Sequence, residues 1–565
     1  MKTQLAASLL IIAIVVHPNV GQAGWATNGN IVSASVTDQV DEAITSDGAG
    51  GAIVAWEDFN GGDYDIYAQR INGSGAVLWT SGGVALCTAA GNQSFPVLVS
   101  DGAGGAIVTW QDLRPSSNND IYAQRINAAG VVQWAANGVA ICTQLRGQDT
   151  PNIIADGSGG AIITWQDNRS VSNEHIYAQR INAAGAVQWT GDGVAICLAT
   201  GDQNFPALAS DGAAGAIVAW QDFRTATNTH IYSQRVNASG AVQWTANGVV
   251  ICAAANSQFQ PLVTSDGAGG AVVTWNDARV GISISDIYAQ RINATGAVQW
   301  AADGVALCTA TNDQYTKAVT TDGAGGVIAA WWDRRTGARD IYARRINAAG
   351  TPQWTADGVA LCTAADEQGI PAIAPDGSGG AIVTWHDNRV FPYNIYAQRV
   401  DASGTVQWTG NGVALCTAAD EQLSPVAATD GAGGAIVAWQ DMRNVATTAT
   451  DIYAQRISGN GAIPTAVSGM TPALPLAVGN NYPNPFAAET SFDVTTLRES
   501  VVSIEVFDVA GRRVRSIDVG RVPAGATRLA FDGLNDRARA LPSGVYFYRV
   551  HAGSETVTKK MVIAR

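Results

Sequence analysis

Short apolar runs separated by Gly-rich turns recur along most of the chain, and the pattern predicts β-strands throughout. In one stretch Pro96–Ser100 reads as a strand, Asp101-Gly-Ala-Gly-Gly105 as a turn, and Ala106–Trp110 as a second strand. A loop follows, then Ile121–Arg125, a Gly turn at Gly130, and Val131–Trp134 running towards Val139–Cys142. Asp-Gly between two β-rich runs is a hairpin signal. The runs are nearly continuous rather than alternating, which predicts sheets covered on both faces.

This unit repeats eight times. Trp25, Trp79, Trp134, Trp189, Trp244, Trp300, Trp354 and Trp408 are spaced 54 to 56 residues apart. Each is followed at fixed distances by a Gln (Gln39 to Gln422), an Asp-Gly pair (Asp47 to Asp430) and a second Trp (Trp56 to Trp439). An Ile-Tyr pair closes the unit. Only the step from the second Trp to this Tyr changes length, from 11 to 14 residues. One loop per unit is therefore free to vary while packing holds the rest. Units of about 40 to 55 residues with four strands each predict a β-propeller. The chain starts with a lone Trp25–Ser33 piece and the last unit stops after Arg456, so the first strand is expected to complete the eighth blade.

The expected fold is all-β: an eight-bladed β-propeller over 24–457, a linker over 458–479 rich in Ala, Pro, Gly and Thr, and a small immunoglobulin-like β-sandwich over 480–565. The last segment shows strands near Thr490–Val494, Val501–Val509, Arg512–Val519, Thr527–Phe531, Gly544–Ala552 and Glu555–Ile563. It also carries Asn481-Tyr-Pro-Asn-Pro-Phe486, Val506-Phe-Asp-Val-Ala-Gly-Arg-Arg-Val514, Pro542-Ser-Gly-Val-Tyr-Phe-Tyr-Arg549 and Lys559-Lys-Met-Val562. In order and spacing these resemble the C-terminal sorting domain of type IX secretion cargo and the immunoglobulin-like domain of flagellar hook-capping proteins. The resemblance implies that the secretion machinery is a partner, with export to the outer surface of a Gram-negative cell or beyond it.

Residues 1–23 read as a signal peptide: Lys2, the apolar run Leu9–Val16, and small residues at Gly21-Gln-Ala23. No later run is long enough to span a bilayer. The 565 residues include 62 Gly and 17 Trp, and 14% are charged, which excludes a disordered polymer and a collagen. A net charge of −14 with only four lysines argues against nucleic-acid binding.

Candidate chemistry is weighed against packing. The periodic Trp residues are expected in the core, with Trp332, the one outside the register, as a possible exposed contact. Asp and Arg two residues apart recur from Asp112/Arg114 to Asp441/Arg443, with Asp58 and Asn60 in the first unit. These acids are expected to pair with the arginines or to cap the loop, and the recurring Gln to bond backbone between strands. Ser158 belongs to a turn, since Ala holds that place in six of the eight units. His175 and His230 stand where other units have Asp, as at Asp120 and Asp286. Cys87, Cys142, Cys197, Cys252, Cys308, Cys362 and Cys416 occupy one equivalent position and are expected as small buried groups. Calcium at Asp58, Asn60, Asp63 and Asp65 is conceivable, but the spacing departs from the usual calcium-loop pattern. No residue is assigned a catalytic, cofactor-binding or metal-binding role.

The expected function is a secreted or cell-surface multivalent binding protein, of adhesin, lectin-like or protein-binding type, for an extracellular glycan or protein. Contacts are expected in the variable loops: Arg114–Asp120, Arg169–His175, Arg224–His230, Arg279–Asp286, Arg335–Asp340, Arg389–Asn394 and Arg443–Asp451. A glycan-cleaving hydrolase and a passive structural protein are the alternatives.

Overall fold

In the computed structural model the described residues are 24–33, 35, 37–114, 118–281, 284–444, 449–464, 476–478, 481, 483–496, 500–509, 511–523, 525–552 and 555–565. The expected signal peptide and most of the expected linker lie outside them. Strands are the only regular elements among these residues, and they fall into two compact units, Gly24–Thr465 and Ala466–Arg565.

Within Gly24–Thr465 the strands form eight four-stranded antiparallel sheets, numbered here along the chain. The second sheet is typical: Gln93–Ser100, Ala106–Asp112, Asp120–Ile126 and Val139–Cys142, each paired with its neighbour in sequence. The register sets Gln93 opposite Asp112 and Trp110 opposite Tyr122. Its first strand carries a bulge between Ser94 and Val97, with Phe95 at φ 54°.

One expectation needs correcting. Val131–Trp134 is not a strand, and only Val132 bridges back to Ile126. The Asn127 side chain accepts hydrogen bonds from the N–H groups of Ala129 and Val131, folding this stretch into a tight turn. The turn aims Trp134 at the next sheet.

The apolar faces are shared between successive sheets. Ile53, Ala55, Ile66 and Ala68 of the first sheet pack with Val108, Trp110 and Ile126 of the second. The second strand Ala106–Asp112 is buried along its whole length. The same packing joins the last sheet to the first: Trp25, Val32, Val54 and Trp56 share a cluster with Ile436, Ala438, Ile452 and Ala454. Asn30–Ser33 pairs with Asp451–Ile457, so the eighth sheet takes its fourth strand from the N-terminal segment.

A pair of donors fastens each sheet to the next. In the second sheet Arg125 binds the turn carboxylate of Asp101, and its Nη1 donates to the carbonyl of Ala183 at 3.0 Å. Trp134 Nε1 donates to that same carbonyl at 3.1 Å. The pair recurs down to Arg399 and Trp408, which share Gly459 O, and across the chain ends, where Arg456 and Trp25 share Gly73 O.

The unit Ala466–Arg565 holds two sheets. Leu476–Val478, Thr490–Thr496 and Gly525–Phe531 form one. Arg513–Val522, Ser500–Asp508, Gly544–Ala552 and Glu555–Ile563 form the other. Phe492, Val494, Ile504, Tyr548 and Met561 share its core. The linker expected over 458–479 therefore ends sooner, because Val478 pairs with Val494 and is buried in this core.

Candidate functional site

The chemistry that recurs in every sheet is consumed by the fold. Asp112 is fully buried; its carboxylate accepts Trp110 Nε1 at 2.8 Å and pairs with Arg114. The Arg114 guanidinium lies 3.6 Å from the centre of the Tyr122 ring and donates to Asn137 O at 2.8 Å. Seven copies run from Arg114 to Arg443, with Arg–Asp distances of 2.5–2.7 Å. A buried carboxylate with this many partners is satisfied rather than reactive. In the first sheet Asn60 replaces the arginine, and Asp58 instead takes bonds from Gln39 and Thr37.

The seven cysteines are free and buried beside this network. Arg114 Nη2 lies 3.4 Å from Cys87 Sγ, and burial pushes each thiol up to about 12. The recurring Gln corrects another expectation: Gln93 Nε2 donates to Ala89 O and Gly91 O, in the loop before its own strand, not across strands.

The acids considered for calcium are sent to different partners. Asp58 faces Gln39 and Trp56, whereas Asp63 accepts the Gly91 N–H at 2.7 Å. Among the described residues no group of three His, Cys, Asp or Glu has metal-binding geometry. His175 Nδ1 lies 2.8 Å from Gln203 Oε1, and His230 Nδ1 3.0 Å from Gln258 Oε1. In both places the ring partners an amide whose equivalents Gln93, Gln148, Gln314, Gln368 and Gln422 leave that oxygen unpartnered.

What departs from the repeat gathers at one end of the sheets, where the first strand starts, the second ends and the variable loop leaves. Two positions carry it. One is the residue after the second Trp: Glu57, Gln111, Gln166, Gln221, Asn276, Trp332, His386 and Gln440. The other is the stretch just after the recurring Gln, where a Pro stands in six units, but Glu42 in the first and Lys317 in the sixth.

The first sheet is the acidic pole. Glu42 is 6% exposed, accepts Gln440 Nε2 at 2.9 Å, and leaves Oε1 unpartnered. Burial raises its pKa to about 8, and burial with the nearby Asp41 raises Glu57 to about 7 against the pull of the Phe95 N–H. Asp41, Glu42, Phe95, Gln111 and Thr150 border a cavity of about 360 Å³.

The sixth sheet is the cationic pole. Trp332, half-buried, stacks on Tyr315 with ring centres 4.6 Å apart, and Phe259 of the fifth sheet lies against Tyr315 at 6.0 Å. The Arg339 and Arg334 guanidinium carbons stand 5.2 and 5.9 Å from the Trp332 ring centre. Glu367 of the seventh sheet pairs with both, at 3.1 and 3.8 Å. His386 follows, its pKa lowered to about 4 by burial and then by Arg339, with Tyr393 at 4.7 Å. Sequence reasoning singled out Trp332 and the loop Arg335–Asp340 that holds Arg339, and missed Lys317, Arg334 and Glu42. Their departure from the repeat at fixed positions was the signal available.

Comparisons with known proteins add the following. Residues 479–556 match the FlgD Ig-like domain family. No curated protein matches the chain in sequence. Among solved structures, the chain is similar to PorZ, a bacterial surface component of the type-IX secretion system of Porphyromonas gingivalis, at 11% identity and a TM-score of 0.28, over 94% of this chain and 82% of that one. It is also similar to the alpha-L-arabinanase of Penicillium chrysogenum, at 12% identity and a TM-score of 0.31, over 58% of this chain and 99% of that one. The endo-arabinase of Bacteroides thetaiotaomicron gives 14% identity and a TM-score of 0.27, over 44% and 92%. Among the described residues the fold is all-β, with repeated four-stranded sheets that resemble the blades of a propeller and a C-terminal Ig-like domain.

Proposed function

We propose that Gly24–Thr465 is a closed eight-bladed β-propeller that serves as a binding protein outside the cell, exported with the help of the C-terminal domain. One observation carries the reading: the acids and arginines of the repeat are mutually satisfied in seven copies, while the unpaired chemistry collects at one end of the sheets. A scaffold of satisfied repeats with one irregular end suits recognition, since binding residues concentrate on loops held by a rigid frame. The ligand is an extracellular glycan or protein, and the variable loops border the same end. Screening the mature chain on a glycan array, with and without calcium, tests this. Selective binding lost in Trp332→Ala and Phe95→Ala supports the reading; binding unaffected by either variant overturns it.

A second reading has its own support. Two carboxyl groups held at high pKa, one of them on a cavity, suit general acid chemistry on a glycan. It predicts release of reducing sugar by the chain and loss of that activity in Glu42→Gln.

A further inference from the structure

We propose that the sixth sheet holds a binding site for an anionic saccharide, with Lys317, Arg334 and Arg339 taking the acidic group and the Tyr315–Trp332 pair taking the sugar ring. The proposal rests on the reading of this end of the sheets as the binding end, and names the ligand class for it.

The distribution of cations is the first argument. Residues 24–465 contain one lysine and 19 arginines. Fifteen of those arginines occupy the two repeating positions, where each serves its own sheet or the next. Four remain, Arg146, Arg334, Arg339 and Arg344, and three of the four lie in the sixth unit with the lysine. In a chain of net charge −14 this is a local reversal of sign, which neither the fold nor the repeat requires.

The second argument is the balance of charge at the site. Glu367 is the carboxylate that pairs with Arg334 and Arg339, and their side chains remain 40% and 38% exposed. The other nearby acids are engaged: Asp340 accepts the Thr336 hydroxyl at 2.6 Å, and Asp313 accepts the Ser285 N–H at 3.2 Å. Arg334 and Arg339 thus share one carboxylate, and Lys317 lies near enough to Arg339 to feel its charge. Desolvation and then the Arg339 charge pull the Lys317 pKa down, a cost to the ammonium that a bound anion relieves.

The third is the platform. Elsewhere the Trp332 position holds Glu, Gln, Asn or His, so an indole here is an exception among eight copies. Stacked on Tyr315 and with two guanidinium groups over its ring at 5.2 and 5.9 Å, it puts half-buried aromatic surface beside positive charge. Such a face suits the C–H side of a pyranose, while guanidinium takes carboxylate or sulfate by charge-assisted bonds. The seventh sheet packs closely against it. Gly369 stands opposite, and a Cβ there would come 2.7 Å from His386 Nε2 and 3.6 Å from Arg339 Nη1. A nucleic acid fits poorly, since the rest of the acidic surface repels a polyanion.

Calorimetric titration of the mature full-length chain tests the proposal with three trisaccharides of one backbone: a uronate form, a sulfated form and a neutral form. The expected result is at least tenfold tighter binding of one acidic form than of the neutral one, weakened by salt. Which acidic form wins separates carboxylate from sulfate. Arg339→Gln should cut that affinity at least tenfold, and Arg146→Gln should leave it unchanged. Thermal unfolding checks that both variants fold. Equal affinity for the neutral form, no effect of Arg339→Gln, or no binding of any of the three overturns the proposal. Neutral binding that Trp332→Ala abolishes would overturn the anionic class and leave the binding end standing. Saccharide binding indifferent to Trp332→Ala and Arg339→Gln alike would sink both.

Discussion

Asp120 shows how a repeat can carry a strained acid. It opens the third strand of its sheet, and burial, with Asp112 and Asp192 nearby, raises its pKa to about 6 against the pull of Arg114. Asp65 and Asp286 are raised to about 6 as well, with burial again the main cause. A raised acid pKa means that the folded state holds its proton longer than the unfolded one, so stability falls as pH rises from about 4 through about 6. The seventh sheet already has Asn394 in this place. Asp120→Asn should therefore leave stability at pH 4 nearly unchanged and raise it at pH 8 by about 1 kcal/mol, less than the whole shift because solvent screens part of it. Denaturant unfolding at the two pH values reads the difference. The cysteines make a second case. With each thiol pushed up to about 12 by burial, a thiol reagent at pH 8 should label none of the seven at a useful rate in the native chain, and all of them in guanidinium. Fast labelling of any one in native buffer would contradict that burial.

At the scale of the element, seven of the eight sheets hold a buried ion pair of the Arg114–Asp112 type, which also reaches the cysteine of the preceding sheet. Arg114→Ala leaves the Asp112 carboxyl fully buried, keeping the Trp110 bond but losing the guanidinium. The expected cost is about 3 kcal/mol by denaturant unfolding, as for other broken buried pairs. Asp58 in the first sheet shows the alternative solution, with Gln39 and Thr37 as donors in place of an arginine. The pairing of these acids with arginines two residues on was legible in the sequence, because both side chains belong to one short stretch. The role of the recurring Gln was not. Its partners are carbonyls of the preceding loop, and backbone acceptors leave no trace in residue identity.

For the whole molecule the join between first and last sheets matters most. Asn30–Ser33 pairs with Asp451–Ile457, Trp25 is 1% exposed, and Trp25 and Arg456 converge on Gly73 O. These contacts bridge some 400 residues, so they carry a large entropic cost that only the packing of every intervening sheet makes affordable. Removing residues 24–33 from the mature chain should lower the midpoint of thermal unfolding by several degrees and widen the transition, with loss of cooperativity across the sheets. An unchanged, equally sharp transition would show that the join contributes little.

The sequence alone determined the repeat, its eight copies, the strand content and the position of the variable loop. These follow from hydrophobic periodicity and turn residues, which act over a few positions, and eight copies average out local ambiguity. It also marked the C-terminal unit through motifs whose order survives, although its first strand Leu476–Val478 escaped, since three residues pair only once Thr490–Thr496 is in place. Only the tertiary structure decided which exceptions to the repeat meet. Tyr315, Trp332 and Arg339 lie on successive pieces of one sheet, with Glu367 and His386 delivered by the next. Charge balance, stacking and the close approach of His386 and Arg339 to Gly369 are properties of distance, and sheets stacked side by side set distances between residues that the chain keeps about 50 positions apart.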